Sequence, residues 1–347
     1  MTQATADERV TDYLRVDRFM RTFVDARALK TAFELRLIDR LIESQLMGFE
    51  RLERELRLDR PALELLLNML VAGGVVTRDD DKIALTENFS GALPYRDVME
   101  AKLDFAGFLA ADFLEGFTQL LADPEGFKRN ARLFQLFDYR RALESSDENY
   151  RQTKAWMRLT TALTRYESLA CMQLHDFSAY KNVLDVGGNS GEFMLRLCRA
   201  HPEMRATVMD LPLVCRVGEE HLAQEPERPR ISFLKSDVRK DPFLRGFDLI
   251  TFKSMLHDWP DEEAKRFLGQ AARTVNPGGS VLIFERGPVP PGDIPFSMIP
   301  TLLFFRSYRQ PAFYERELGS LGLRDVRTVR LDLEAPFFIV TAARPRA

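Results

Sequence analysis

The chain has 347 residues, a formal net charge of −3 from 49 Lys and Arg against 52 Asp and Glu, and 45% hydrophobic residues. This composition predicts a globular protein of two or three domains with a large core, and it excludes a collagen-like or structureless chain. The near-neutral charge gives no overall attraction to nucleic acid or to an anionic membrane.

The cysteines and the apolar segments indicate where such a protein would work. The three cysteines are 27 and 17 residues apart and form no Cys-x-x-Cys pair, which favours a reducing, cytoplasmic setting. Met1–Thr11 lacks the layout of a signal peptide. The longest uncharged stretch, Leu65–Thr77, has 13 residues, fewer than the roughly 20 that a bilayer span needs. We therefore expect neither secretion nor a membrane helix.

The first 97 residues read as a winged helix. Apolar residues recur at helical spacing from Val10 to Ile42, which predicts two amphipathic helices. Two shorter helices are predicted over Phe49–Leu58 and Pro61–Val71, the second ending before Gly73 and Gly74. A β-hairpin follows, with strands Val75–Thr77 and Ile83–Thr86 around an acidic turn.

The helix that would enter a DNA groove in such a domain lacks the side chains for it. Pro61–Val71 contains no Lys or Arg and consists largely of leucine. Phosphate contacts supply most of the affinity of DNA-binding proteins, so this helix favours a structural or dimer-forming domain. A winged-helix ligand sensor that binds DNA remains the alternative, and no nucleic-acid partner is expected.

After residue 97 the predicted secondary structure is first helical and then, from about residue 175, alternates between strands and helices. Residues 98–174 read as a helical connector rich in aromatics, most of them core residues and some of them candidates for lining an apolar pocket. Residues 175–347 alternate short β-branched runs with helices, which predicts an α/β domain with a doubly wound parallel sheet. The predicted strands are Asn182–Val186, Arg205–Met209, Ile231–Leu234, Phe247–Phe252, Ser280–Phe284 and Pro336–Thr341. Ligands bind beyond the carboxyl ends of such strands.

The first strand leads into the sequence Asp185-Val186-Gly187-Gly188-Asn189-Ser190-Gly191 and then into a helix. Glycines at this position let the backbone approach a ligand at a helix N-terminus. The dinucleotide fingerprint Gly-x-Gly-x-x-Gly is not met, because its second and third glycines fall on Asn189 and Glu192. NAD is therefore disfavoured.

S-adenosylmethionine fits the acids that follow the next two strands. Asp210 ends the second strand, 25 residues after Asp185, where a carboxylate can accept hydrogen bonds from both ribose hydroxyls. After the third strand, Ser236, Asp237 and Val238 offer an acceptor for the adenine amino group and an apolar wall. Each acid alone could simply cap a helix, but the set together is more specific.

Three motifs together resemble the small-molecule O-methyltransferases of the caffeic-acid and hydroxyindole type. They are Asp185-Val186-Gly187-Gly188, Met209-Asp210-Leu211-Pro212 and Lys253-Ser254-Met255-Leu256-His257-Asp258-Trp259-Pro260-Asp261. The resemblance covers almost the whole chain and implies a Rossmann-like class I methyltransferase sheet behind an N-terminal winged-helix domain that forms a homodimer. The cofactor contacts that the resemblance and the strand ends together predict are Asp185, Gly187, Gly188, Asp210, Leu211, Ser236, Asp237, Val238 and Lys253.

His257 follows the fourth strand at the edge where ligands are expected, and a histidine there can act as a general base near neutral pH. Its alternative role is packing beside a helix start. By the resemblance, Glu285 after the fifth strand would orient the ring; its alternative is an ion pair with Arg286. The other histidines have no metal-ligand spacing, and no metal is predicted.

The chain also departs from the pattern of that family. A glycine-rich stretch that carries a second acid near the histidine is replaced here by residues 303–313, which contain aromatics and two arginines, and Asn189 replaces a frequent glycine. Either arginine, Arg306 or Arg309, is a candidate for meeting an acceptor carboxylate. Phe296, Met298, Phe304 and Phe305 are candidates for an acceptor pocket, with ordinary helix packing as the alternative.

The leading hypothesis is an S-adenosylmethionine-dependent O-methyltransferase of secondary metabolism, acting on a hydroxyl of a small aromatic or polyketide-like molecule with His257 as the base. A relative with the same cofactor could instead catalyse C- or N-methylation, or a decarboxylation, hydroxylation or pericyclic step. Retention of His257 favours the first reading, and loss of the second acid favours the other.

Overall fold

The computed structural model describes residues 10–136, 139–289, 292 and 294–346. It divides into two compact units. The helical unit comprises Asp12–Lys128 and Gly292–Leu303, and the sheet unit comprises most of the remainder, from Arg129 to Pro291 and from Phe304 onward. This division differs from the predicted one: the helix Arg96–Ala122 runs across residue 97, and the helix Asp147–Leu174, predicted to lie in a separate connector, belongs to the sheet unit. Phe137, one of the predicted connector aromatics, lies outside the described residues.

The helical unit begins with helices and a small sheet in the order predicted from the sequence. A 3₁₀ helix, Asp12–Phe19, precedes the labelled elements. These are α1 (Phe23–Glu34), α2 (Leu37–Ser44), β1 (Met47–Gly48), α3 (Phe49–Leu56), α4 (Arg60–Ala72), β2 (Val76–Asp79), β3 (Lys82–Leu85), α5 (Glu87–Ala92), α6 (Arg96–Ala122) and α7 (Pro124–Asn130). The predicted hairpin is present as β2 and β3, and β1 adds a third antiparallel strand next to β3.

Local sequence explains where these helices begin. The Asp59 side chain accepts a hydrogen bond from the Ala62 N–H at 2.9 Å and caps α4, whose first turn contains Pro61. Thr22 and Asp25 form a reciprocal capping box at the start of α1. The stretch from residue 10 to 42, predicted as two helices, contains three, because Arg36 adopts a left-handed conformation with φ 60° and separates α1 from α2.

Helix α6 is the longest element of the helical unit. Its Lys102 is buried and pairs with Asp17 at 2.8 Å, which satisfies the charge inside the unit. The stretch Glu87–Ala122 has the length and apolar composition of a membrane span, with 28% of the tested window buried. That is weak evidence for a membrane, because core helices of soluble proteins share both properties.

The sheet unit contains a single seven-stranded sheet in the strand order β6-β5-β4-β7-β8-β10-β9, with helices between its strands along the chain. Its elements are α8 (Arg132–Leu136), α9 (Asp147–Leu174), β4 (Asn182–Val186), α10 (Glu192–Ala200), β5 (Arg205–Asp210), α11 (Pro212–His221), β6 (Ile231–Lys235), β7 (Leu249–Lys253), α12 (Asp261–Thr274), β8 (Ser280–Arg286), α14 (Pro311–Ser320), β9 (Arg324–Asp332) and β10 (Pro336–Ala343), while α13 (Ile299–Leu303) belongs to the helical unit. All six predicted strands are present, and five of them, β4 to β8, are parallel. This is the class I methyltransferase fold, a mostly parallel sheet between helices.

The far edge of the sheet differs from the wholly parallel prediction. Strand β10 pairs antiparallel with β8 and with β9, and β9 was not predicted. The sequence of β9 contains three arginines, Arg324, Arg327 and Arg330, and only Leu331 is fully buried, so it lacks the apolar run of an internal strand.

The chain reverses its direction of travel through the sheet at β4, which pairs with β5 on one side and β7 on the other. A crevice forms at such a switch point, beyond the carboxyl ends of the two strands. The residues after β4, β5, β7 and β8 are therefore the ones that the fold brings together.

Candidate active site

The turn between β4 and α10 is built so that its backbone stays open. Gly187 has φ +68°, and a Cβ there would lie 2.4 Å from Met255 Cγ. A Cβ on Gly188 would lie 2.5 Å from Asp185 Oδ2. Side chains at either position would fill the space beside the strand end, so this cradle needs glycine.

Asn189 takes the position at which the resemblance leads one to expect glycine. Its φ is +56°, a conformation that asparagine adopts more readily than most other residues. The Asn189 Oδ1 accepts the Ser190 N–H at 2.8 Å and the Thr160 hydroxyl at 3.3 Å. The substitution therefore preserves the backbone shape of the turn.

Asp210, at the end of β5, is held by two main-chain donors. Its Oδ2 accepts the Asn189 N–H at 2.8 Å and its Oδ1 accepts the Leu211 N–H at 2.7 Å. Burial raises the pKa of Asp210 to about 6, against the two N–H donors that lower it. Each carboxylate oxygen keeps a free lone-pair direction, so Asp210 can accept further hydrogen bonds from a diol.

Asp185 lies inside the sheet unit at the end of β4 and is 1% exposed. Its Oδ1 accepts the Thr251 hydroxyl at 2.7 Å, whereas Oδ2 is buried with no hydrogen-bond partner. Burial raises the pKa of Asp185 to about 7. An unpartnered buried carboxyl oxygen beside the Gly188 backbone is suited to a ligand donor, because leaving it unpaired costs free energy.

We expect the stability of the ligand-free protein to fall between pH 4 and 8 because of Asp185. An acid whose pKa is raised on folding binds its proton more tightly in the folded state, so its contribution is present below the unfolded pKa and is lost as the pH rises through the folded pKa. The difference between the ordinary pKa of 3.8 and the folded-state pKa of about 7 corresponds to roughly 4 kcal/mol. Urea unfolding at several pH values measures this.

Two variants distinguish the titration of Asp185 from a change in packing as the cause of the pH-dependent unfolding free energy. Asp185→Asn should flatten the pH dependence of the unfolding free energy between pH 5 and 8. Asp237→Asn should change stability by the same amount across that range, because Arg239 holds the pKa of Asp237 below its ordinary value. Parallel curves for Asp185→Asn and the wild type would contradict the prediction.

The residues after β6 form a closed set of polar contacts. Both oxygens of Asp237 accept hydrogen bonds from the Arg239 guanidinium, each at 2.8 Å. Ser236 donates its hydroxyl to Asp241 at 2.8 Å. Val238 packs against the main hydrophobic core. Asp237 thus lies at the predicted edge with its charge balanced by Arg239, and its remaining lone pairs are what a ligand amino group could use.

Lys253, at the end of β7, takes part in a buried ionic network. Its Nζ contacts the Glu167 carboxylate and the Thr164 hydroxyl, the latter at 3.0 Å. Arg286 contacts the other Glu167 oxygen and also Glu334, the latter at 3.2 Å. Two cations and two anions balance in this network, which ties α9 to the ends of β7 and β8. Sequence reasoning assigned Lys253 to the cofactor and did not identify Glu167 as its partner.

Helix α9 contributes a polar stripe that the sequence analysis missed. Thr160, Thr161, Thr164 and Glu167 lie at helical spacing, and Thr161 donates to the Ser190 hydroxyl at 2.8 Å. This stripe contacts both the glycine turn and Lys253. Threonines three and four residues apart on a helix were the available signal, since they interrupt the apolar face toward the sheet.

His257 lies in a 3₁₀ turn, Leu256–Asp258, directly after β7. Its Nδ1 is 2.7 Å from Glu285 Oε1, and its main-chain N–H donates to Glu285 Oε2 at 3.2 Å. Burial opposes ionisation of Glu285, but His257 and Arg286 hold the pKa of Glu285 below its ordinary value. An ionised Glu285 can only accept, so Nδ1 carries the hydrogen and Nε2 is the ring nitrogen that can accept a proton.

The pKa of His257 is raised, although burial alone would lower it, because Glu285 and Asp258 stabilise the charged ring. Asp258 Oδ1 is 3.4 Å from Nε2. Tyr139 donates its hydroxyl to Asp258 Oδ2 at 2.7 Å. A carboxylate thus lies on each side of the imidazole, one from β8 and one from the turn itself.

Aromatic rings surround the imidazole on its open side. The Tyr308 and Phe304 rings lie 5.3 and 6.4 Å from the His257 ring, and Phe134 meets Phe304 edge-on at 5.7 Å. The altered stretch of residues 303–313 therefore brings aromatic surface to the histidine where the resemblance implies an acid. Arg306 is exposed and lies over the Phe305 ring.

The four candidates for an acceptor pocket are divided between the two units, since Phe304 and Phe305 belong to the sheet unit. Phe296 and Met298 belong to the helical unit, where Phe296 meets Phe23 edge-on at 5.5 Å. Across the described ranges, no three His, Cys, Asp or Glu side chains form a group suited to a metal ion.

Comparison with known proteins shows which families and folds the chain is similar to. Residues 119–289 match the family described as an O-methyltransferase domain. The matched segment, about half of the chain, includes the glycine turn, Asp210, His257 and Glu285.

Two curated proteins named as methyltransferases are similar to parts of this chain. The chain is 32% identical over 53% of its length to 3-hydroxy-5-methyl-1-naphthoate 3-O-methyltransferase of Streptomyces sahachiroi, covering 54% of that protein. It is 25% identical over 88% of its length to L-tyrosine C(3)-methyltransferase of Streptomyces lavendulae, covering 85% of that protein. The chain spans about half the length of the first curated relatives that it matches.

Solved structures share the fold across nearly the whole chain. Human N-acetylserotonin methyltransferase, solved in complex with S-adenosylmethionine, has a TM-score of 0.68 and 22% identity and covers 92% of this chain and 94% of its own. At that identity, the likeness describes the architecture alone.

Proposed function

We propose that this protein is an S-adenosylmethionine-dependent O-methyltransferase that acts on a hydroxyl group of a small aromatic or polyketide-like metabolite. The observation that carries the proposal is the pairing of His257 with Glu285 at 2.7 Å beside the open glycine turn. A base and a cofactor cradle at neighbouring strand ends are what methyl transfer to a hydroxyl requires.

The residues present fit the cofactor. The Gly187 and Gly188 backbone leaves room that any Cβ would fill, and Asp185 Oδ2 is a buried acceptor in need of a donor. Asp210 is held with both oxygens oriented by main-chain N–H groups, as a ribose diol requires. We assign the cofactor contacts to Asp185, Gly187, Gly188, Asp210, Leu211, Ser236, Asp237 and Val238. Lys253 then acts mainly through its network with Glu167.

When bound, S-adenosylmethionine supplies a methyl group activated by a sulfonium. His257 Nε2 accepts the proton of the acceptor hydroxyl as the oxygen becomes nucleophilic. Glu285 keeps Nδ1 protonated, holds the ring plane and stabilises the imidazolium that forms. The nearby Phe304 and Tyr308 rings limit water around the imidazole and offer aromatic surface to the acceptor.

A C-methyltransferase is the second candidate. A relative whose match covers 88% of this chain is named as a C(3)-methyltransferase of tyrosine, and the acid expected in residues 303–313 is absent. A phenol is activated at its ring carbons by the same deprotonation that activates its oxygen, so His257 could serve either outcome. N-methylation, decarboxylation, hydroxylation and pericyclic chemistry have no specific observation in their favour, and neither does DNA sensing.

We also propose that the protein works as a cytoplasmic homodimer through a winged-helix domain within residues 1–97. Within that range the chain exposes large apolar side chains that a second copy could cover: Phe23, Val24, Ile42, Leu46, Leu65 and Val71. Light scattering should give twice the mass of one chain at micromolar concentration. A monomeric mass there would rule the homodimer out.

The test of the function is direct. The purified protein is incubated with methyl-labelled S-adenosylmethionine and a panel of phenols, naphthols and hydroxyindoles, and the products are analysed by mass spectrometry and NMR. We expect formation of S-adenosylhomocysteine and a labelled methyl ether. A labelled carbon–methyl bond would instead support the second candidate. Cofactor binding without transfer to any acceptor class would argue against both.

A further inference from the structure

The side chain of Arg309 binds the main chain on both sides of His257. Its Nη1 donates to the Leu256 carbonyl at 2.9 Å, and its Nη2 donates to the Trp259 carbonyl. Its Nε donates to Asp261 Oδ1 at 2.7 Å. The Arg309 side chain is 11% exposed, so these contacts are largely shielded from water.

The turn that carries His257 needs such support. Leu256–Asp258 is a 3₁₀ helix of three residues, and helices this short are not stable on their own. Within the turn the Leu256 carbonyl accepts the Trp259 N–H at 3.3 Å, a long hydrogen bond, and a carbonyl has a second lone pair that an arginine can use. A guanidinium is a planar fork with several donors, so it can hold two carbonyls at once, whereas a lysine ammonium cannot match that geometry.

We propose that Arg309 is a positioning residue, which clamps the Leu256 and Trp259 carbonyls and thereby keeps the His257 ring against Glu285. The role of His257 as a base rests on the proposed function. The clamp itself is a property of the folded chain and can be measured without any acceptor.

The same stretch of chain approaches His257 in two ways. Tyr308, the residue before Arg309, lies with its ring 5.3 Å from the imidazole, while Arg309 holds the backbone beneath it. Residues 304–309 therefore contribute both the ring's aromatic neighbour and its main-chain anchor. This stretch, which departs from the family pattern, places an aromatic ring beside the imidazole and a cation on the turn.

The pKa of His257 should change in opposite directions on replacement of Arg309, depending on whether Arg309 acts by holding the turn or through its charge. The groups that face the His257 ring are Glu285 and Arg286 from β8, Asp258 from its own turn with Tyr139 behind it, and Tyr308. Removing a nearby cation through charge alone would raise the pKa of His257. Loosening the turn would weaken the Glu285 contact and lower that pKa toward its ordinary value of about 6.5.

The experiment is an NMR titration of the four histidine rings in the full-length protein, with His257 assigned from its loss in His257→Gln. We expect Arg309→Lys and Arg309→Gln both to lower the pKa of His257, by about 0.5 or more. With an acceptor, we expect kcat to fall at least about tenfold and affinity for S-adenosylmethionine to stay within about twofold.

Arg344 supplies the matched control. Its Nη1 donates to the Arg273 and Val275 carbonyls, at 2.9 and 2.6 Å, at the end of α12 and away from the strand ends that carry His257. Arg344→Gln should lower the unfolding temperature as Arg309→Gln does but leave the His257 titration unchanged.

Two results would overturn the proposal. One is an unchanged His257 pKa in both Arg309 variants. The other is a raised pKa in Arg309→Gln together with a wild-type pKa in Arg309→Lys, which would indicate that only the charge of Arg309 matters. If neither variant folds, Asp261→Ala, which removes the acceptor of the Arg309 Nε–H, takes their place, and an unchanged His257 pKa there is equally contrary. Failure of methyl transfer in the wild type would count against the proposed function and leave the titration result intact.

Discussion

Replacing His257 with alanine is expected to lower kcat by about 10²–10⁴-fold, the usual contribution of a general base, with S-adenosylmethionine affinity near that of the wild type. The physical reason is that Glu285 holds Nδ1, so Nε2, which lies 3.4 Å from Asp258 Oδ1, is the ring nitrogen that can accept the proton. Steady-state kinetics with the best acceptor and calorimetry with the cofactor measure the two effects separately. His201→Gln is the matched control, because the hydrogen bonds identified at His201 are made by its main chain.

The dependence of activity on pH also tests the assignment of His257 as the general base. His257 must be neutral to accept a proton, and its pKa is raised by Glu285 and Asp258, so activity should rise with pH through a value above about 6.5. Glu285→Gln removes one carboxylate and should move this rise to lower pH while reducing kcat. A His257→Ala variant as active as the wild type would eliminate the base from the mechanism and leave proximity as the main source of rate.

Replacing Asp210 with asparagine is expected to weaken S-adenosylmethionine binding by about 10²–10⁴-fold. Hydrogen bonds to a charged group contribute about 1.5–3 kcal/mol each, and a ribose diol makes two of them. An amide would also turn its NH₂ toward one of the two main-chain donors, Asn189 or Leu211, and disturb the turn. Isothermal titration with S-adenosylmethionine and S-adenosylhomocysteine measures the loss.

Asp248 offers a close structural control for this variant. Its Oδ2 accepts the N–H groups of Lys181 and Asn182, both at 3.1 Å, at the opposite edge of the sheet. Asp248→Asn therefore perturbs a similar carboxylate without reaching the proposed cofactor site, and its affinity should match the wild type. Equal losses in both variants would mean that general destabilisation, and not a ribose contact, explains the Asp210 result.

Much of the sheet could be predicted because its strands are buried on both faces. Val183, Leu184 and Val186 form an apolar run of the kind that only an internal strand requires, and a glycine turn follows directly. Strand β9 escaped prediction, since an edge strand that exposes Arg324 and Arg327 has no such run. Topology then determined the place of the site, because parallel strands bring their carboxyl ends to one edge.

The sequence by itself determined which residues stand at the strand ends: the glycine turn, Asp210, His257 and Glu285. Only the tertiary structure revealed their partners. The contacts of Lys253 with Glu167 and of Arg309 with the Leu256 carbonyl join residues 86 and 53 positions apart. Strand and turn signals are local properties of neighbouring residues, whereas the partner of a buried charge depends on which distant side chain packing brings within hydrogen-bond distance.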